Sequence, residues 1–303
     1  MNLIPGIHLA AALILAPFLL GVINRTKARI AGRAGAPLLQ LYFDLGKLLH
    51  KGAVYSRTTT WLFRAGPLVG LAAVFGALLL TPFGKSGAVL AFDADLVLFA
   101  YWLGLMRFVT VLAALDTGSS FEGMGASREV FFAALAEPAF LLGLLGLARV
   151  TGSVSLSAML PEVTAATWLA AGPALALIAA AWLIILLAEN ARIPVDDPNT
   201  HLELTMIHEV MVLDHGGPDL AMILYGAALK LWVMGALLVS LLTPVRYGVA
   251  WQDALVFLGG MLLLAVGIGL IEGAMARLRL ARVPQLLMGA FALAALALML
   301  IMK

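Results

Sequence analysis

The chain has 303 residues, of which 63% are hydrophobic and 12% are charged, with a formal net charge of +2. Soluble domains carry about 25% charged residues, so this composition predicts an integral membrane protein, and the small net charge gives no reason to expect nucleic-acid binding. The chain has no cysteine. It therefore offers no thiolate for zinc or for an iron–sulfur cluster, and we expect no cofactor bound by this chain itself.

Eight apolar runs are each long enough to cross a bilayer as a helix, which takes about 20 residues. They cover residues 4–23, 65–83, 91–115, 130–149, 167–188, 219–242, 252–275 and 284–302. The first run has no basic leader and no small-residue cleavage site, so we expect a retained helix and not a signal peptide. The prediction is an all-α integral membrane protein with about eight transmembrane helices, forming a single polytopic membrane domain over residues 1–303.

Lysine and arginine predict the orientation of these spans. The first loop and the last loop hold most of them: Arg25, Lys27, Arg29, Arg33, Lys47, Lys51, Arg57, Arg64, Arg277, Arg279 and Arg282. The opposite side holds fewer: Lys85, Arg149, Arg246 and Lys303. By the positive-inside rule the first loop is cytoplasmic, so both termini are expected on the outer face of the cell inner membrane. The fifth loop and residues 116–129 then lie on the cytoplasmic side.

A second kind of helix is predicted inside the first loop, in "PLLQLYFDLGKLLHKG" from Pro37. Leucines recur there at helical spacing, whereas Gln40, Asp44 and Lys47 fall largely on the other side. This pattern indicates a short amphipathic helix at the cytoplasmic membrane surface. An ordinary amphipathic linker is the alternative.

Four charged residues fall inside or near the ends of apolar runs: Arg107, Glu137, Lys230 and Glu272. A charge at mid-bilayer costs about 2.5–3.5 kcal/mol, and such residues usually face the bundle interior or a wet cavity on an ion path. Pro138 follows Glu137 and is expected to open the helix beside that carboxylate. A buried ion pair that only holds the bundle together is the alternative, mainly for Arg107 and Lys230.

The most polar segment is "AENARIPVDDPNTHLELTMIHEVMVLDH", from Ala188 to His215. It reads as a loop followed by a helix that Thr200 caps. Crowded carboxylates raise one another's proton affinity and histidines titrate near neutrality, so the segment suits proton relay. Its interleaved apolar residues predict a protein-lined cavity or a covering partner; a solvated acidic loop is the alternative.

Zinc is not predicted in this segment. His208 and Glu209 begin like the HExxH zinc motif, but Val212 stands where the second histidine is required.

The fifth-loop residues resemble the signature of the respiratory complex I subunit 1 family. The matching residues are Glu189, Asn190, Arg192, Pro194, Asp196, Pro198, Glu203 and Leu204. The first loop resembles that family's pattern more loosely, through Arg29, Gly35, Leu38, Leu39, Gln40, Asp44 and Lys47. Arg128 and Glu137 match an arginine followed nine residues later by a glutamate.

Departures from the family pattern point to one branch of it. "HLEL" replaces the family's E-S-E-L, and Val195 replaces a phenylalanine. With "GMGASRE" and "LAEPA", these features resemble the hydrogenase branch: formate hydrogenlyase subunit 4 and the membrane subunits of energy-converting nickel–iron hydrogenases. The resemblance implies a membrane anchor and coupling subunit, without a catalytic centre of its own, that links electron transfer to translocation of protons or Na⁺.

The resemblance also implies partners. Hydrogenase-like large and small subunits and iron–sulfur proteins would dock on the cytoplasmic side and hold the iron–sulfur clusters and the nickel–iron centre. Antiporter-like membrane subunits and lipid would surround the chain in the membrane.

Residues and resemblance together predict three groups of site residues. The proton or ion path comprises Glu137, Glu189, Asp196, Asp197, Glu203, Glu209, Lys230 and Glu272, and its charge is tuned by Arg107, Arg128 and Arg192. Partner docking uses Arg29, Arg33, Gln40, Asp44 and Lys47.

Three rival functions remain open: the quinone-site subunit of a complex I-type NADH:quinone oxidoreductase, with a lipid-sized tunnel under the first and fifth loops; a standalone secondary ion transporter; and a passive anchor.

Overall fold

The computed structural model describes residues 4–84, 86–197, 206–244 and 249–303. Within these ranges every regular element is a helix. The α-helices are α1 (Ile4–Ile30), α2 (Gln40–Leu49), α3 (Trp61–Leu79), α4 (Asp95–Asp116), α5 (Ser120–Thr151), α6 (Leu156–Met159), α7 (Ala165–Glu189), α8 (Gly217–Leu242), α9 (Ala250–Ala274) and α10 (Val283–Met302). Short 3-10 helices cover Leu160–Glu162, Glu209–Val212 and Leu280–Arg282.

Eight of the helices in the described ranges, all except α2 and α6, are long and apolar enough to cross a membrane. This confirms the eight predicted spans. Several helices continue beyond their apolar run. The 27 residues of α1 give a helix about 40 Å long, against about 30 Å of hydrocarbon. Its basic end, with Lys27 and Arg29, therefore extends past the apolar part.

Helix α8 lies at the centre of the bundle. It packs against α1, α2, α3, α7 and α9, and most of its side chains are buried. Around it, α3 packs on α4, and α10 packs on α5 and α7. Small residues let some of these helices approach closely: a Cβ added at Gly66 of α3 would lie 2.9 Å from the Cβ of Ala113 on α4. Close packing of this kind is usual between membrane helices.

The polar connections gather at one end of the bundle, which we call the loop face: segments 31–60, 190–197, 206–216 and 275–282. Several hydrogen bonds join these segments to one another and to the helix ends. The amide of Leu278 donates to Pro194 O across 2.9 Å, and the amide of Thr60 donates to Asp116 Oδ2 across 2.6 Å. The loop face is therefore a folded layer.

The predicted amphipathic helix is present as α2. None of its residues is fully buried, and it packs against α1 and α8.

The expected opening of the helix at Pro138 is wrong, because α5 continues unbroken through this residue. Each further unpaired backbone group would be costly in a bilayer, so the neighbouring turns keep their helical bonds. The non-helical residue is instead Ala171 in α7, two positions before Pro173.

The helix predicted to start at Thr200 is also wrong in its described part. From residue 206 onward the segment forms only the 3-10 helix Glu209–Val212. The amides of Ile207 and His208 both donate to Asp196 Oδ2, each across 3.2 Å. A carboxylate that takes up backbone donors in this way competes with helical bonding. Thr200 itself lies outside the described residues.

Candidate functional site

Arg107 on α4 collects three carboxylates inside the bundle. Its Nε lies 3.2 Å from Glu129 Oε1 on α5, and its Nη2 lies 2.6 Å from Glu189 Oε1 at the end of α7. Its Nη1 contacts Glu137 on α5. Buried charges need such partners, because an unpaired charge in a low-dielectric interior is very unfavourable. The arginine thus ties α4, α5 and α7 together.

Lys230 extends this cluster to the central helix. Its Nζ donates to Glu189 Oε2 across 2.7 Å, and both side chains are about nine-tenths buried. Arg107 Nη2 lies 2.6 Å from both oxygens of Glu189, so this carboxylate contacts two cations, Arg107 and Lys230.

The fifth loop joins the cluster through His208. The Nε2 of His208 lies 3.1 Å from Glu129 Oε2, and its Nδ1 lies 3.6 Å from Asp196 Oδ2. The other oxygen of Asp196 lies 2.8 Å from Nη2 of Arg277, in the segment after α9. A side-chain connection therefore runs from Lys230 inside the membrane to Arg277 at the loop face.

Burial and charge set the protonation of the two loop groups in opposite ways. Burial disfavours the imidazolium of His208, but Glu129 and Asp196 outweigh burial and raise the pKa of His208. Burial also disfavours the carboxylate of Asp196, but the hydrogen bond and charge of His208 and the charge of Arg277 outweigh it. They hold the pKa of Asp196 below its usual range. Both shifts favour the charged forms, the imidazolium of His208 and the carboxylate of Asp196.

A second set of ion pairs lies beside the first. Glu272 of α9 is 3.3 Å from Nη1 of Arg192 and 3.7 Å from Nζ of Lys27. Lys27 is also 3.4 Å from Asp197 Oδ1, and the amide of Asp197 donates to Asp196 Oδ1 across 2.9 Å. The two sets meet at Asp196 and Asp197. We call them together the charged chain; its members are Lys27, Arg107, Glu129, Glu137, Glu189, Arg192, Asp196, Asp197, His208, Lys230, Glu272 and Arg277.

A cavity of about 330 Å³ lies against the charged chain beneath the loop face. Residues of α1, α2, α4, α5, α7, α8 and the fifth loop line it, among them Arg107, Glu129, Glu189, His208 and Lys230. Its wall is mostly apolar. The first and fifth loops both contribute, as the quinone-site alternative predicts.

A second space of about 670 Å³ opens between α4 and α5 on the side of the bundle. We call it the lateral groove. Glu137 lines it, and 51% of the Glu137 side chain is exposed there. Tyr101 and Phe108 also line it and are largely exposed. The charged chain therefore reaches the side surface of the bundle near the middle of α5.

The structure brings most predicted path residues into the charged chain. These are Glu137, Glu189, Asp196, Asp197, Lys230 and Glu272, with Arg107 and Arg192 as their partners. Glu209 lines the cavity without belonging to the chain as we define it. Arg128 lies outside it and donates from Nη1 to Met206 O across 2.9 Å. Glu203 lies outside the described residues.

The predicted docking residues divide into two groups. Arg29, Arg33 and Lys47 are exposed at the loop face. Gln40 donates to Asp44 Oδ1 across 2.9 Å, and both residues line the cavity instead.

Sequence reasoning missed four members of the charged chain: Lys27, Glu129, His208 and Arg277. A usable signal existed for Glu129, because it precedes Glu137 by eight residues and so lies on the same face of α5. His208 was named in the sequence only for its partial zinc motif, and the segment's histidines were considered for proton relay without singling it out. In the part of the chain that the structure describes, no three His, Asp or Glu side chains converge as a metal site would require.

The fold and the charged chain define a polytopic membrane protein with charged side chains in successive contact from one face to its interior. The chain belongs to the NADH dehydrogenase family, whose sequence profile matches residues 4–303. It is 30% identical to formate hydrogenlyase subunit 4 of Escherichia coli over 308 residues, covering 97% of each chain. It is 32% identical to hydrogenase-4 component C of E. coli over 294 residues, covering 94% of this chain and 91% of that protein.

Two further matches extend this picture. An NADH-quinone oxidoreductase subunit of Rubrobacter xylanophilus is 28% identical over 223 residues, covering 73% of this chain and 65% of that protein. A chain in the structure of the membrane-bound sulfane sulfur reductase, an archaeal respiratory membrane complex, superposes with a TM-score of 0.82. It covers 99% of this chain and 98% of that chain at 20% identity, so it supports the fold alone. These matches bear out the resemblance drawn from the sequence.

Proposed function

We propose that this chain is the membrane anchor and coupling subunit of a multisubunit energy-converting hydrogenase or formate hydrogenlyase-like complex. In this role it links electron transfer in a docked peripheral arm to translocation of protons or Na⁺. The two relatives from E. coli, a formate hydrogenlyase subunit and a hydrogenase component, support this choice.

The single observation that carries the proposal is the charged chain. It joins Asp197 and Arg277 at the loop face to Lys230 and Glu137 within the spans through successive contacts. Charges within a membrane domain are costly and mark ion paths by default. A passive anchor has no need of such a connection, whereas a coupling subunit requires one between the redox arm and the membrane.

The loop face is the docking surface in this proposal, on the cytoplasmic side of the inner membrane, with both termini on the outer face. Its basic residues, including exposed Arg29, Arg33 and Lys47, support that orientation. The docked partners are hydrogenase-like large and small subunits and iron–sulfur proteins. They hold the iron–sulfur clusters and the nickel–iron centre, since this chain has no cysteine to ligate them.

The lateral groove supports membrane partners. Glu137 is half exposed near the middle of a span, where contact of an ionised carboxylate with hydrocarbon is unfavourable. An antiporter-like subunit that covers α4 and α5 would remove that contact and continue the path sideways.

The experiment is to purify the native complex, identify its subunits, and measure redox turnover and ion uptake together in sealed vesicles. We expect uptake that requires turnover and that the isolated chain, reconstituted alone, lacks. Uptake by the isolated chain would instead support the standalone transporter. Turnover without uptake in the intact complex would support the passive anchor.

A second candidate is the quinone-site subunit of a complex I-type oxidoreductase. The cavity under the first and fifth loops favours it, as does the similarity to an NADH-quinone oxidoreductase subunit. Adding a short-chain quinone to the purified complex separates the two candidates. Electron transfer to the quinone would support the second one, and proton reduction without quinone would support the first.

A further inference from the structure

His208 contacts a carboxylate with each of its ring nitrogens. Nε2 lies 3.1 Å from Glu129 Oε2, and Nδ1 lies 3.6 Å from Asp196 Oδ2. A neutral imidazole has one N–H donor and one bare nitrogen, whereas the imidazolium has two donors. Both contacts are ion-pair distances without hydrogen-bond geometry. Only the protonated ring carries a proton on each of the two nitrogens that lie beside these carboxylates. When the imidazolium loses one proton, the bare ring nitrogen places its lone pair beside one of the two carboxylates, which is unfavourable.

The balance of charge around His208 depends on the same proton. Four carboxylates and three permanent cations form its branch of the charged chain: Glu129, Glu137, Glu189 and Asp196 with Arg107, Lys230 and Arg277. Among the ion pairs of the described residues, the other branch has two carboxylates, Asp197 and Glu272, and two cations, Lys27 and Arg192. Counted over the described members of the first branch, the formal charge is zero when His208 is protonated and −1 when His208 is neutral.

We infer that His208 passes protons from the cavity beneath the loop face to Glu129, and that the proton is the ion that the charged chain carries. This inference rests on the coupling function proposed above and adds the residue and the ion. In the transfer step, the Nε2–H bond of the imidazolium breaks and an O–H bond forms at Glu129 Oε2. The products are a neutral imidazole with its remaining proton on Nδ1 and a neutral carboxylic acid. A proton taken up from the solvent at the loop face through the cavity, which both residues line, then forms a new N–H bond at Nε2.

The surroundings suit His208 to this exchange. Burial opposes its charge, the carboxylates of Glu129 on α5 and Asp196 in the loop favour it, and the ammonium of Lys230 on α8 opposes it. The net result is a raised pKa of His208, so a larger share of this ring carries the second proton than in an ordinary histidine at the same pH. Arg107 contacts the same carboxylate, with its Nε 3.2 Å from Glu129 Oε1.

The partners of the carboxylates favour the proton over Na⁺. Each of the six carboxylates of the charged chain already contacts an Arg, Lys or His side chain. A sodium ion would have to share several oxygens with these positive groups. A proton needs a single lone pair on one oxygen.

The test compares His208→Gln and His208→Arg with His215→Gln in the purified complex. His208→Gln removes the titratable group, and His208→Arg keeps a cation that releases no proton at accessible pH. His215 belongs to the same loop but stacks on Phe63, with ring centroids 3.9 Å apart, outside the charged chain. The readouts are co-purification of partners, redox turnover, and uptake of protons and of ²²Na⁺ per turnover between about pH 6 and pH 9.

We expect proton uptake per turnover to fall at least about tenfold in both His208 variants and to stay near wild type in His215→Gln. Wild-type uptake should decline as the pH rises through the pKa of His208. His208→Arg, which retains the ion pairs that dock the loop, should still assemble even if His208→Gln does not. Wild-type proton uptake in either His208 variant, or uptake of ²²Na⁺ in place of protons, would overturn the inference.

The Glu137→Gln variant separates this inference from the proposed function. Loss of uptake in Glu137→Gln with normal uptake in the His208 variants would contradict the role of His208 and leave the coupling function standing. Normal uptake in all of these variants would contradict both.

Discussion

Lys230 and Glu189 form an ion pair of 2.7 Å between the central helix α8 and the last residue of α7. Glu189 also contacts Arg107, so the pair is unequal: the carboxylate has two cations, and Lys230 has one described carboxylate. We therefore expect the loss of stability to differ when one or the other residue is replaced. Glu189→Gln leaves the buried Lys230 without its described carboxylate and removes one of the three carboxylates around Arg107, and we expect it to destabilise the fold by about 3–5 kcal/mol. Lys230→Met leaves Glu189 paired with Arg107 and should cost clearly less.

Thermal unfolding of the detergent-solubilised chain measures this difference. The double variant Glu189→Gln with Lys230→Met should be more stable than Glu189→Gln alone, because it removes the cation that Glu189→Gln leaves without a described carboxylate. Equal losses in the two single variants would contradict the contacts described for Glu189.

A second prediction concerns the docking of the fifth loop on α5. A Cβ at Gly125 would lie 2.2 Å from Val210 Cγ1 and 3.0 Å from Ile207 O. Gly125→Ala should therefore displace the loop and cost about 1–3 kcal/mol. Gly123→Ala is the matched control, because nothing lies within 4 Å of a Cβ there. It should be neutral or stabilise α5 by up to about 1 kcal/mol.

Amide exchange of residues 206–213 reports loop displacement directly. We expect faster exchange in Gly125→Ala and unchanged exchange in Gly123→Ala. Unchanged exchange in both would show that the loop is not held against α5 at this point.

A third prediction concerns how stability depends on pH: His208 should govern the loss of stability at alkaline pH, and His215 the loss at acidic pH. The pKa of His208 is raised above the ordinary 6.5. Its contribution to stability is therefore complete below about pH 6.5 and lost as the pH rises through the raised pKa. Burial lowers the pKa of His215 against the opposing charges of Asp219 and Asp214. Its contribution is complete above about pH 6.5 and lost as the pH falls toward the lowered pKa.

Unfolding temperatures measured across this range should separate the two groups. His208→Gln should flatten the alkaline limb, and His215→Gln should flatten the acidic limb. A profile in which His208→Gln alters only the acidic limb would contradict the charged imidazolium.

The spans were predictable because a helix must have a long run of apolar residues to cross a bilayer, and the sequence contains eight such runs. The charged residues inside the spans were predictable for the same reason, since Arg107, Glu137 and Lys230 interrupt apolar sequence. Their connection was not predictable. Glu129 lies in a segment of mixed polar and apolar residues, so it does not stand out in the sequence. Its contact with His208 joins two residues that are 79 positions apart and come together only when the fifth loop folds.

Contacts with other parts of the chain explain the two wrong predictions of local structure. The periodic pattern around His208 favours a helix, but Asp196 takes the amides of Ile207 and His208. Pro138 would end an isolated helix, but α5 continues through it, packed against α7 and α10. Neither effect is visible in the sequence of the segment alone, because both partners lie elsewhere in the chain.

A fourth prediction tests orientation. The chain has no cysteine, so single cysteines can be introduced without background. A cysteine beside Arg29 should react with an impermeant reagent only after the cytoplasmic side is opened, and one beside Lys85 should react in intact cells. Labelling of the Arg29 site in intact cells would place the loop face outside and separate it from a cytoplasmic redox arm.

The measurement that tests the central claim most directly is ion uptake per redox turnover in the same vesicles for wild type, Glu137→Gln and Glu203→Gln. Glu137 ends the charged chain at the lateral groove, and glutamine keeps its shape but cannot exchange a proton. Glu162→Gln, an exposed carboxylate at the opposite end of the bundle, is the matched control. We predict assembled complexes in every case, with uptake per turnover reduced at least about tenfold in Glu137→Gln and Glu203→Gln and unchanged in Glu162→Gln. Normal uptake per turnover in both path variants would contradict the coupling function and leave this chain a passive anchor.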